Sequence, residues 1–152
     1  MGAVYFYHLT RRPLEVVLPQ LLERALGQGW RVVVRGTDRD ALERLDTALW
    51  TYGEESFLPH GLAGGPHDAL QPVLLTAQGD LPGDAACLMS VDGAEVGQDE
   101  VTRLDRVCVI FDGGDGAALQ RARDQWKSLT RGGASAQYWS EESGKWEKKA
   151  EH

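Results

Sequence analysis

The stretch WRVVVR at residues 30–35 decides the fold class. Val32, Val33 and Val34 in succession indicate a β-strand that is covered on both faces, since a strand with one wet face alternates apolar and polar residues. Strands of this kind are typical of parallel sheets with helices packed on either side. The stretch therefore predicts an α/β protein.

The sequence before this stretch predicts one strand and one helix. Residues 3–9 (AVYFYHL) are rich in aromatic and β-branched side chains, which favours a strand. Apolar residues then recur at helical spacing from Pro13, which suits the first helical position, to Leu26. Pro19 lies inside this run and is expected to kink the helix or to mark where its regular part begins.

The sequence after the stretch continues the alternation. Thr37 is the expected N-cap of a second helix that ends near Trp50. Further strands are predicted at residues 72–76, 86–91, 105–111 and 136–140, with a loop or short helix at 96–104 and a long helix at 115–130. Together these elements predict a mostly parallel central sheet flanked by helices. The order of the strands cannot be deduced.

Length and charge limit the organisation of the chain and its partners. The 152 residues predict a single domain at residues 1–145, followed by a charged tail at 146–152 that is expected to fray. The formal net charge of −7 argues against a protein that wraps nucleic acid, so little direct nucleic-acid binding is expected.

The compartment is predicted from the cysteines and the first residues. Cys87 and Cys108 lie in apolar runs and are interpreted as buried, reduced thiols, although a disulfide is an alternative. The sequence shows no signal peptide and no membrane-spanning run, which predicts a cytoplasmic protein without a membrane partner.

A search for catalytic and ligand-binding motifs finds one weak candidate. The turn at residues 112–116 (DGGDG) is the only glycine-rich turn between a strand and a helix, and its amides suit an anion. Because Asp112 and Asp115 carry the wrong charge for phosphate, a nucleotide-binding or hydrolytic protein is kept only as the alternative. His60 and His67 have no third spaced ligand, so His60 is interpreted as a loop residue bonded to backbone. No cofactor, metal site or catalytic residue is predicted.

Two other segments suit protein partners. In the stretch at residues 49–64, the second helix ends at Trp50 and an apolar loop interrupted by glycine and proline follows. Such a loop is either pinned onto the domain or offered to a partner. In the long helix, Arg123, Lys127 and Arg131 share a face bordered by Trp126. Cations beside an aromatic ring suit a short acidic peptide with an apolar end. The alternative is a solvated basic face with Trp126 in the core.

The segment LDTALWTYGEESFLPHGLAG, residues 45–64, resembles the signature region of the chi subunit of bacterial DNA polymerase III. The matching residues are Leu45, Asp46, Leu49, Trp50, Glu55, Ser56, Phe57, Leu58, Pro59, His60 and Leu62. The first strand, the valine strand and the helix segment ARDQWKSLTRGG extend the resemblance over most of the chain.

The resemblance implies a nucleotide-binding-like three-layer fold without a phosphate-binding loop. It also implies a non-catalytic accessory subunit that acts in DNA replication within the clamp-loader assembly. One surface would bind the psi subunit or its equivalent, through Leu49, Trp50, Phe57, Leu58, Pro59 and His60. Another would bind the acidic C-terminal tail of single-stranded-DNA-binding protein, through Arg123, Trp126, Lys127 and Arg131. A further position, basic in some members of the family, is Leu119 here.

Overall fold

The computed structural model describes residues 3–10, 12–51, 60–62, 72–77, 81 and 84–152. The described residues form eight strands: β1 (Ala3–Leu9), β2 (Val32–Arg35), β3 (His60–Leu62), β4 (Val73–Thr76), β5 (Cys87–Ser90), β6 (Arg106–Asp112), β7 (Ser135–Ser140) and β8 (Glu147–Glu151). They also form four helices: α1 (Leu14–Gly27), α2 (Arg39–Trp50), α3 (Gln98–Arg103) and α4 (Gly116–Arg131).

All of these strands belong to one sheet, in the order β3-β4-β2-β5-β6-β1-β7-β8. Neighbouring strands are parallel except β7 and β8, which are antiparallel. The predicted fold class, a mostly parallel sheet flanked by helices, is confirmed. The chain places β1 near the middle of the sheet, between β6 and β7.

The two faces of the sheet are buried in separate hydrophobic cores. In β2, Val32 and Val34 pack in the core that contains α1 and α2, whereas Val33 packs in the core that contains α3 and α4. None of the three valines is more than 1 % exposed. The interpretation of residues 30–35 as a strand covered on both faces is therefore confirmed.

The helix ends differ in detail from those predicted. Pro13 is the N-cap of α1, not its first helical residue, and α1 continues as one helix through the buried Pro19. Asp38, not Thr37, caps α2, because its carboxylate accepts a hydrogen bond of 3.1 Å from the amide of Asp40. The Thr37 hydroxyl instead donates a hydrogen bond to the backbone carbonyl of Asp92. No helix in the described part of the chain has the length and apolar character needed to cross a membrane.

Two strands escaped prediction, and both lie at the edges of the sheet. Among the described strands, the three-residue strand β3 pairs with β4 alone, and β8 pairs with β7 alone. Residues 147–151, expected to fray, instead form β8, and both backbone groups of His152 bond to Ala136. An edge strand needs backbone pairing but no apolar side chains, so hydrophobic patterning does not reveal it.

The two cysteines are free thiols buried on neighbouring strands, as interpreted from the sequence. The pKa of the Cys87 thiol is raised, first because it shares a hydrogen bond with Cys108 and second because burial disfavours a thiolate. Both cysteines therefore pack as small apolar residues.

A buried carboxylate joins the end of β7 to the segment before α1. The side chain of Glu141 is 2 % exposed and accepts hydrogen bonds from the backbone amide of Arg12 at 3.1 Å and from its Nε at 2.9 Å. Because a buried charge is stable only when it is paired, this contact holds the two segments together.

Replacing Glu141 with Gln is expected to lower the free energy of unfolding by about 1–3 kcal/mol, because the neutral amide cannot balance Arg12. Chemical denaturation measures the loss. Glu142→Gln, at the exposed neighbouring position, is the control and should change stability by less than about 0.5 kcal/mol. Equal losses in both variants would contradict the structural role of Glu141.

Candidate interaction sites

The outer face of α4 carries a row of exposed cations. Arg123, Lys127 and Arg131 follow one another at intervals of four residues, so they project from the same side of the helix. Among the residues described, none of these three side chains forms a salt bridge. The face therefore offers positive charge to a ligand inside a chain whose net charge is −7.

Trp126 lies beside this row and is half-buried. Its ring centroid is 5.4 Å from that of Phe6 and 6.2 Å from that of Tyr138. The ring therefore anchors α4 on the sheet while part of it remains accessible next to Arg123 and Lys127. The two interpretations of Trp126, as a core residue and as a surface residue, both describe part of its surroundings.

Tyr138 and His8 extend the aromatic surface, and the sequence analysis did not select them. The Tyr138 hydroxyl and His8 Nδ1 are 2.8 Å apart, and the His8 ring stacks on Phe111 with centroids 5.3 Å apart. Gly113 provides the space, since a Cβ there would lie 1.7 Å from His8 Nε2. The positions of Phe6 and His8, two apart on β1, could have been noticed as one face of a strand.

The pKa of the Tyr138 hydroxyl reports its surroundings. Burial raises this pKa, the nearby Arg123 guanidinium lowers it in part, and Glu142 adds to the increase. Arg123 is thus close enough to act electrostatically on the aromatic surface. We call Arg123, Trp126, Lys127, Arg131 and Tyr138 together the α4 site.

The second predicted surface begins where α2 ends. Trp50 is 54 % exposed, whereas the preceding Leu49 is 2 % exposed and packs in the core with α1. The Trp50 ring lies on the His60 ring, with centroids 4.3 Å apart. Of the predicted surface, Phe57, Leu58 and Pro59 lie outside the described residues. We call Trp50 and the adjoining His60 the α2 site.

His60 itself is buried, and its ring contacts and supports the ring of the exposed Trp50. Its Nε2 lies 3.2 Å from the carbonyl oxygen of Asp46 and 3.1 Å from the Asp46 carboxylate. The expected hydrogen bond to backbone is confirmed, although His60 belongs to β3 and not to a loop. Leu49 and His60 therefore position the α2 site, and Trp50 presents the apolar surface.

The α4 site and the α2 site lie on opposite faces of the sheet. α2 packs in the core that contains Val32, and α4 packs in the core that contains Val33. They also lie toward opposite ends of the strand order, since α2 contacts β3 and β4 whereas α4 contacts β6 and β7. Two ligands can therefore occupy the two sites without touching.

The alternative site, at residues 112–116, lies beside a cleft of about 650 Å³ where β1 and β6 end. The Asp115 carboxylate accepts hydrogen bonds from the amides of Ala117 and Ala118, at 3.0 and 3.3 Å. Asp112 accepts one from Gly114 at 2.9 Å. The amides that would face a phosphate are thus occupied by the chain's own carboxylates, which argues against an anion here.

No group of three or more metal-ligating side chains occurs among the residues that the structure describes.

These features define a class: a three-layer α/β domain with a cationic helix on one face and an exposed tryptophan on the other. The model of the family described as DNA polymerase III chi subunit, HolC, matches residues 1–137. The chain belongs to this family, and the resemblance found at residues 45–64 is confirmed. As a member of this family, the chain is a chi-type accessory subunit of the replicative DNA polymerase.

A curated relative agrees with this assignment. The chain is 27 % identical over 111 residues to the probable DNA polymerase III subunit chi of Rickettsia prowazekii (strain Madrid E). The alignment covers 70 % of this chain and 67 % of the relative.

Replacing Asp92 with Asn is expected to stabilise the protein near neutral pH. Asp92 lines the cleft with φ of 54°, a conformation that Asn also tolerates. Burial first, then Asp38 and Glu15, raise the pKa of its carboxyl. A raised pKa in the folded state means that stability is lost as pH rises through that pKa.

The variant should therefore gain up to about 1 kcal/mol near pH 7 and nothing below about pH 3.5, where the wild-type carboxyl is also neutral. Denaturation of both proteins across this pH range measures the difference. A gain that is independent of pH would show that charge is not its cause.

Proposed function

We propose that the protein is a non-catalytic adaptor of the DNA replication machinery, working in the cytoplasm. The α2 site would hold the psi subunit or its equivalent in the clamp loader, and the α4 site would hold the acidic C-terminal tail of single-stranded-DNA-binding protein. The observation that carries the proposal is the row of exposed cations beside Trp126, on the face of the sheet opposite Trp50.

Charge and shape support the acidic tail as ligand of the α4 site. Arg123 and Lys127 supply donors that match carboxylates, and arginine pairs with a carboxylate in two parallel hydrogen bonds. Trp126 and Tyr138 supply a half-buried aromatic surface on which a terminal phenylalanine ring would pack. Leu119, half-buried in the core beneath α4, adds apolar surface but no charge.

The exposure of Trp50 supports the α2 site as a protein interface. Tryptophan is enriched among residues that carry most of the energy of an interface, and a large exposed side chain held in place by a second ring is typical of them. Should a recognisable psi subunit be missing, the same surface would contact the clamp loader directly or a second copy of the chain.

The proposal that the protein is non-catalytic rests on the acidic side chains in the cleft beside residues 112–116. The carboxylates there cap α4 and the preceding turn, and Asp92 and Glu15 line the same cleft. The described lining also includes Arg12 and Arg121, but its carboxylates outnumber them, so a substrate phosphate would meet net negative charge where a phosphate-binding loop supplies amides.

The double variant Arg123→Ala/Lys127→Ala is expected to bind an acidic peptide with a terminal phenylalanine about tenfold more weakly than wild type, since each exposed ion pair contributes up to about 1 kcal/mol. Titration calorimetry measures the affinity, which should also fall as salt is raised. Arg121→Ala is the matched control, because Arg121 is exposed on the same helix but contacts Gly93 on the cleft side. Unchanged peptide binding in the double variant would refute the α4 site.

Trp50→Ala is expected to weaken capture of clamp-loader components by about 2 kcal/mol or more while leaving the free energy of unfolding nearly unchanged. Affinity purification from an extract of the native organism, followed by quantification of the captured subunits, measures the loss. Leu49→Ala is the contrasting variant, since removal of a buried leucine should cost about 2–5 kcal/mol of stability. Equal capture by Trp50→Ala and wild type would exclude this surface as the interface.

A further inference from the structure

A second cleft, of about 490 Å³, opens on the α1 side of the sheet, and five aromatic rings contribute to its lining. The five rings belong to Tyr5, Tyr7, Trp30, Trp139 and Trp146. Trp146 precedes β8 and contacts Tyr7 edge-on, with ring centroids 5.2 Å apart. We call this the aromatic cleft.

Arg106 is the charged group inside the aromatic cleft. Its guanidinium carbon lies 4.0 Å from the centroid of the Tyr5 ring and 5.1 Å from that of the Trp30 ring. Its Nε is buried and has no hydrogen-bond partner in the described structure. A buried donor without a partner is costly, and a small turn of the Arg106 side chain toward a ligand oxygen would satisfy it.

The charge of the aromatic cleft is positive, although the chain as a whole is acidic. Arg24, in the last turn of α1, lines the cleft together with Arg106, and the described lining includes no aspartate or glutamate. Arg106 also forms no salt bridge among the residues described. Among the lining residues that the structure describes, an anion would meet two guanidinium groups and no carboxylate, although the charge of Asp105 acts on Cys87 in the lining.

The base of the cleft suits a flat ring. It is formed by the sulfur-containing side chains of Cys87, Met89 and Cys108, and sulfur makes favourable contacts with aromatic rings. The wall formed by α1 includes Ala25 and Gly27, and a Cβ at Gly27 would meet no atom within 4 Å. These two small residues leave space between the larger Leu21 and Arg24, which line the same wall.

The aromatic cleft is separate from both sites of the proposed function. It lies on the face of the sheet opposite α4, and its lining does not include Trp50. Trp139 and Trp146 lie beyond residues 1–137, which the family model matches.

From the rings, the unpartnered Nε of Arg106 and the positive lining, we propose that the aromatic cleft binds a small planar aromatic carboxylate. The ring of the ligand lies among the aromatic side chains over the sulfur atoms, and its carboxylate accepts hydrogen bonds from Arg106. Arg24 at the rim adds long-range attraction.

The test uses 2-naphthoate as probe, with neutral 2-naphthamide as the matched control. The chain has five tryptophans, each with its own indole N–H resonance in a ¹⁵N correlation spectrum. Titration with 2-naphthoate should shift the resonances of Trp30, Trp139 and Trp146 along one saturation curve and leave those of Trp50 and Trp126 unchanged. The affinity for 2-naphthamide should be about tenfold lower, since a charge-assisted hydrogen bond is lost.

Arg106→Gln should remove the preference for 2-naphthoate over 2-naphthamide, and Arg103→Gln, at an exposed arginine outside the cleft, should retain it. Equal affinity for the two probes, or equal shifts of Trp50 and Trp126, would overturn the proposal in the wild-type protein without reliance on any variant.

A second arm distinguishes a free aromatic acid from the carboxyl terminus of a peptide. The acidic, phenylalanine-ended peptide is added to the complex with 2-naphthoate. If the peptide shifts Trp126 and does not displace the probe, the cleft takes a free acid and the α4 site stands. If it displaces the probe and leaves Trp126 unshifted, the ligand of the cleft is a peptide terminus, and the α4 assignment fails while the cleft assignment survives.

Discussion

The structure depends on the burial of both faces of its parallel sheet. A parallel sheet cannot leave one face in water, because the connections between its strands place helices on both sides. β1 shows the constraint most clearly: Val4 and Phe6 enter one core and Tyr7 enters the other. The buried residues of each helix therefore fix which face of the sheet the helix covers. Only the solvent-facing residues of the helix are available to bind a partner.

This division explains how one small domain separates its surfaces. On α2, Leu49 is buried and Trp50 is exposed, so consecutive residues serve the core and the α2 site. On α4, Ala122 and Leu129 are buried while Arg123 and Lys127 face outward. The candidate interaction surfaces are thus outer faces of helices whose orientation the core has already fixed. The aromatic cleft arises differently, where α1 leaves part of its sheet face uncovered.

Sequence patterns predicted the elements that form the cores and missed those that depend on tertiary pairing. Residues 30–35 identified the sheet because three valines require two apolar environments. β3 has only three residues and β8 is mostly charged, so neither shows the apolar pattern by which strands are recognised in a sequence. The row of Arg123, Lys127 and Arg131 was visible because helical spacing alone brings these residues together. Tyr138 and His8 join them only through the placement of β7 beside β1, which sequence spacing does not reveal.

The edges of the sheet have a consequence for how copies of this protein coexist. At one edge the outermost strand has three residues, and at the other the outermost strand, EKKAE, carries charges of both signs. A long apolar edge would template further strands from neighbouring molecules and lead to fibrous aggregates. The short edge strand β3 and the charged edge strand β8 each oppose such growth. Both edges thereby limit the stacking of this protein with further copies of itself.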